Sequence, residues 1–128
     1  HAGRISEARQ MVERALEVSR SQKEHGHEAW ALFILAEIFR ADGHSDSQVL
    51  AAFQAAENAA THCRMEPLRT RCRYGIARTY LHSNQIKLGN EILESAHTSF
   101  REMGMRYWAG KSTESDEIKI CKTADSEP

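Results

Sequence analysis

Apolar and small residues fall at helical spacing along this chain, in two alternating kinds of segment. Ala8, Val12 and Ala15 form one trio, and the same spacing returns at Val49, Phe53 and Ala56 and again at Gly89, Leu93 and Ala96. Residues four and seven apart share one face of an α-helix. A second pattern stands between the trios, where Leu32, Leu35, Ala36 and Phe39 correspond to Arg73, Ile76, Ala77 and Tyr80. Both kinds of segment recur at an interval of about 40 residues, within the range of helical repeats. The pattern predicts five or six helices, at roughly 4–24, 27–42, 46–63, 67–83, 86–103 and 106–118.

Turn residues fall where those helices must end. Gly43-His44-Ser45 separates two segments, and Ser45 with Gln48 reads as a capping box that opens the next helix. His82-Ser83-Asn84 occupies the matching turn one repeat later. Glu66-Pro67 fits a helix start, and Gly104 suits a left-handed helix end. The strings from Cys63 to Leu68 and from Met103 to Trp108 align as the same joint. The expected domain covers 3–118, as a half repeat 3–24, full repeats 27–63 and 67–103 and a truncated helix 106–118. A polar tail, 119–128, is expected to be disordered. Gly3-Arg4 matches a turn inside a repeat, which suggests a fragment of a longer protein.

Composition agrees with an all-α fold, being rich in alanine, glutamate, arginine and leucine with only two prolines. The net charge of −1 disfavours a globally basic nucleic-acid binder. No apolar run approaches the roughly 20 residues that span a bilayer, so no membrane partner is expected. Cys63, Cys72 and Cys121 form no CxxC pair, and their odd number favours free thiols in a reduced, cytoplasmic setting.

Large apolar, small and aromatic residues at Leu35-Ala36…Phe39, followed by Val49…Phe53…Ala56, resemble the tetratricopeptide repeat. Ile76-Ala77…Tyr80 with Gly89…Leu93…Ala96 fits the same pattern, and Gly3…Ala8…Val12…Ala15 fits half of it. The resemblance runs from about residue 3 to 110 and implies antiparallel helix pairs stacked as a right-handed α–α superhelix. The period exceeds the family's usual 34 residues, with the second helix of each pair expected to carry the excess. The longer repeat and its joints resemble a bacterial subset, the C-terminal arrays of signalling ATPases fused to nucleotide cyclases or helix-turn-helix regulators. In the family, the first helix of each pair lines a concave groove that holds a peptide.

By position, the resemblance puts Trp30, Phe33, Glu37 and Arg40 in that groove from one repeat, and Arg71, Tyr74, Arg78 and His82 from the next. Trp30 and Phe33 could instead pack against the helix at 4–24. The basic positions point to a protein or peptide partner of acidic character. Residues 64 to 78 carry five arginines, read either as an anion-binding patch or as a solvated face paired with acidic neighbours. The carboxylate clamp of chaperone-tail binders is not expected, because Ile34 and Gly75 stand where it needs asparagine. His25-Gly26-His27 lacks further ligands at a suitable spacing for a metal. His62, Cys63 and Cys72 come with no phosphate loop or nucleophile elbow. The expected protein is thus a non-catalytic interaction scaffold without cofactor or metal. Self-association as a homodimer and ligand sensing within a signalling ATPase are the alternatives.

Overall fold

The computed structural model describes residues 2–113. Six helices follow one another: α1 (Ala2–Ser21), α2 (His25–Ala41), α3 (Asp46–His62), α4 (Glu66–His82), α5 (Ile86–Glu102) and α6 (Arg106–Thr113). The fold is all-α, with no strand among the described residues. The expected continuation of the last helix to 118 and the tail 119–128 lie outside the described residues. Gly3 and Arg4, expected in a turn, stand in the first turn of α1. No helix among the described residues is long and apolar enough to cross a membrane.

Helices α2 to α5 are each 17 residues long, so the second helix of a pair is not the longer one. Their equal length follows from a joint that repeats at every helix end. The residue after each cap adopts the left-handed conformation: Lys23, Gly43, Arg64, Asn84 and Gly104 have φ of 56°, 76°, 57°, 69° and 72°. The next N–H then donates to the carbonyl five residues back, from Glu24 to Ser19, His44 to Phe39, Met65 to Ala60, Gln85 to Tyr80 and Met105 to Phe100, at 2.8–3.0 Å. A bond spanning three residues lies inside each of these, such as Gly43 N–H to Arg40 O at 3.2 Å. This is the Schellman arrangement, which satisfies carbonyls a helix end would otherwise leave unpaired. Lys23 and Arg64 hold the conformation at a steric cost of about 1 kcal/mol that glycine avoids.

Ser45 opens α3 with the expected capping box. Its Oγ accepts from the Gln48 N–H, and its own N–H donates to Gln48 Oε1 at 3.2 Å. Pro67 lies in the first turn of α4, where no intrahelical donor is needed.

Each helix packs against the next in sequence, and paired contacts show that neighbours run antiparallel. Arg9 of α1 lies over Phe39 near the end of α2, while Arg20 reaches back to Glu28 near its start. Between α3 and α4, Asp46 meets His82 and Glu57 meets Arg73.

Two apolar clusters share α4. Ala29, Phe33, Ala36, Val49, Phe53, Ala56 and Ala60 meet its Leu68, Cys72 and Ile76 on one side. On the other side its Tyr74, Ala77 and Leu81 meet Leu93, Ala96, Phe100 and Ala109. Two glycines permit the closest approaches. A Cβ on Gly75 would stand 2.6 Å from the Phe53 ring, and one on Gly89 would stand 2.7 Å from Leu81 and 3.1 Å from the Ala77 carbonyl. α6 is fastened to α5 by His97, whose Nδ1 lies 2.9 Å from the Ala109 carbonyl oxygen and 3.0 Å from Ser112 Oγ.

Candidate partner-binding site

Because alternate helices carry equivalent positions toward one side, residues far apart in sequence converge there. Phe33, Glu37 and Arg40 of α2 meet Arg71, Tyr74 and Arg78 of α4 around one cavity of about 200 Å³. Six of the eight expected groove residues are therefore brought together. Gly75 forms part of its wall, and Tyr107, Trp108 and Lys111 of α6 complete it.

The aromatic residues act as walls rather than as exposed anchors. Phe33 and Tyr74 are both buried in the core clusters, Phe33 against Phe53 and Tyr74 against Phe100 and Trp108. Their apolar area favours packing over water, which leaves only part of each ring at the cavity. Trp30, at 40% exposure, lies elsewhere, on a separate apolar cleft between α1 and α2 with Met11, Val18 and Ile34. Trp30 thus faces the preceding helix while its ring also meets that of Phe33 at 6.1 Å. His82 also stands apart from the cavity, because α3 offers it a carboxylate. Its Nδ1 lies 2.9 Å from Asp46 Oδ1.

Arg71 organises the cavity. Its guanidinium carbon lies 4.7 Å from the centre of the Phe33 ring and 4.5 Å from that of Trp108, with Trp30 at 5.7 Å. Stacked aromatic faces hold a guanidinium by cation–π attraction, worth about 0.5–2 kcal/mol per contact. The Nε of Arg71 is buried with no hydrogen-bond partner. Arg78 lies over the Tyr74 ring at 5.5 Å, and Lys111 over Tyr107 at 6.0 Å. Arg40 donates to Glu37 at 3.0 Å. The described lining residues thus include four cations and one carboxylate, which is itself bonded to a cation.

Two other arginines of the 64–78 segment are paired with acidic neighbours. Arg73 pairs with Glu57 of α3 at 3.0 Å and Arg69 with Glu66 at 3.2 Å. Arg71, at the cavity, has no such pair among the described residues.

The nucleophile and metal candidates take ordinary structural places. Cys72 is fully buried beside Ile76 and Phe53. Burial, and after it the charge of Glu57, pushes its thiol up to about 12, so it stays protonated and unreactive near neutral pH. His27 bonds to Glu24, and the His25 ring meets His62 edge-on at 6.3 Å. Among the described residues no group of three or more His, Cys, Asp or Glu is placed to hold a metal ion.

Sequence reasoning missed Gly75 as wall, and Tyr107, Trp108 and Lys111 as lining. The signal for Lys111 was present, because Trp30, Arg71 and Lys111 are each the sixth residue of their helix. Compared with known proteins, the chain matches no family model, no curated protein and no solved structure.

Proposed function

We propose that this chain is a non-catalytic, tetratricopeptide-like interaction module that binds an acidic peptide or neighbouring domain through the cavity around Arg71. One observation carries the reading: a guanidinium flanked by Phe33 and Trp108 has an unpartnered buried Nε in a cavity whose described lining holds four cations and one carboxylate. Preformed walls reduce the ordering cost of binding, and positive potential speeds and selects an acidic partner. The repeated joints and equal antiparallel helices support the tetratricopeptide-like reading, which carries with it a right-handed stack. A place in the cytoplasm, within a bacterial signalling protein, follows from the longer repeat that the chain shares in pattern with such arrays.

Fluorescence anisotropy of labelled acidic peptides tests this directly. Arg71→Glu/Arg78→Glu is expected to weaken binding at least about tenfold, and unchanged affinity would defeat the reading. The exposed Met11, Val18, Trp30 and Ile34 favour a second reading, in which another copy covers the apolar cleft. Light scattering on the same double variant separates the two. A stable dimer, together with undiminished peptide binding, supports only the second.

A further inference from the structure

Resting on the partner-binding reading above, we propose that the Arg71 cavity is a phosphate site. It takes the doubly charged oxyanion of a phosphomonoester, carried by a phosphorylated peptide side chain or by a small phosphorylated molecule. Three observations converge on this chemistry.

The first is the way Arg71 is held. Phe33 at 4.7 Å and Trp108 at 4.5 Å from its guanidinium carbon flank the group with two aromatic rings. Its Nε is buried without an acceptor, and Arg71 forms no hydrogen bond or ion pair among the described residues. A guanidinium fork flanked by aromatic rings with its donors unused matches the geometry of a phosphate or carboxylate edge. Supplying the missing acceptor also removes the penalty of a buried donor without a partner.

The second observation is charge. Among the described residues, Arg71 and Lys111 line the cavity without an ion pair, and the carboxylate of Glu37 beside them is already bound by Arg40 at 3.0 Å. A group of charge near −2 balances this surplus better than a single carboxylate does, and it brings three acceptor oxygens. The third is size and surroundings. About 200 Å³ admits one side-chain head group. The rings of Phe33, Tyr74 and Trp108 give it apolar walls, beside which a charge-assisted bond is stronger than in open water.

The test follows the side-chain Nε–H resonance of Arg71 in the full chain carrying ¹⁵N-arginine, assigned by its disappearance in Arg71→Lys. Inorganic phosphate added at constant ionic strength is expected to shift it saturably, with acetate at least about tenfold weaker. Arg71→Lys keeps the charge but loses the fork, and phosphate binding measured by calorimetry should weaken about tenfold. Lys111→Gln, at an exposed position, should weaken it about threefold with an unchanged melting temperature, so the proposal stays testable if Arg71→Lys fails to fold. A phosphoserine peptide that binds at least about tenfold more tightly than inorganic phosphate identifies a phosphorylated segment as the source. Equal affinity identifies a small phosphorylated molecule.

A shift that grows linearly without saturation, or acetate as effective as phosphate, overturns the phosphate site. Acidic peptides that still bind in that case, and are lost in Arg71→Glu/Arg78→Glu, leave the partner reading standing. Saturable phosphate binding with no peptide bound does the reverse: it keeps the site and removes the partner reading.

Discussion

Two concavities of this protein are built from equivalent helix positions and have opposite chemistry. Between α1 and α2 the cleft is lined by Met11, Val12, Ala15, Val18, Trp30 and Ile34. Among α2, α4 and α6 the cavity is lined by four cations on aromatic walls. The sixth helix residue is Trp30 in α2, Arg71 in α4 and Lys111 in α6. The tenth is Ile34 in α2 and Gly75 in α4, exposed in one case and buried against Phe53 in the other. A repeated backbone therefore fixes where side chains converge, and the residue chosen at each copy decides what that place can bind.

The largest test of this comparison concerns Phe53, which touches both Phe33 and Gly75 beneath the basic cavity and has no exposed surface. Phe53→Ala should cost about 3–5 kcal/mol in denaturant unfolding, through lost burial and the void left behind. A loss below about 1 kcal/mol would show that α3 does not support the cavity floor. The paired substitution at the tenth position comes next. Gly75→Ala forces a methyl group to within 2.6 Å of the Phe53 ring and should cost about 1–3 kcal/mol. Ile34→Ala, at a largely exposed position, should cost less than about 1 kcal/mol. Equal melting temperatures for the two would erase the distinction.

The last effect, absent at neutral pH, lies in the pH dependence. Cys72 is raised from 9.0 to about 12 in the folded chain by burial and then by Glu57. Above the ordinary thiol value the unfolded chain releases this proton while the folded chain keeps it, so the unfolded state gains relative stability. Stability should be fully present below pH 9 and fall by roughly 1 kcal/mol for each pH unit between 9 and 12. Urea midpoints measured across that range in the parent and Cys72→Ala check it, because the variant should lose this part of the slope.

Much of the fold was legible because it depends on local pattern. The trios around Val49–Phe53–Ala56 and Gly89–Leu93–Ala96 mark buried faces, and Ser45 and Gly104 mark helix ends by their own chemistry. Lys23 and Arg64 were not legible as joint residues, since neither type favours the left-handed conformation. At the site, helical position brought Arg71, Arg78, Glu37 and Arg40 to one face. It did not separate ring walls from ring surfaces at Phe33 and Tyr74, because burial depends on what the neighbouring helices leave uncovered. It also misplaced His82, whose partner Asp46 stands 36 residues away. Such a pairing appears only when two helices are set side by side.

The five matching joints have a consequence for the speed of folding. Every helix meets chiefly its sequence neighbours, across connections of three or four residues closed by the same pair of backbone bonds. Native contacts of such short sequence separation require little loop closure, and chains dominated by them fold in microseconds to milliseconds. Assembly can begin at any helix pair and spread in both directions. Pulled from its ends, the same chain would yield one hairpin at a time, giving a staircase of small force steps instead of a single rupture.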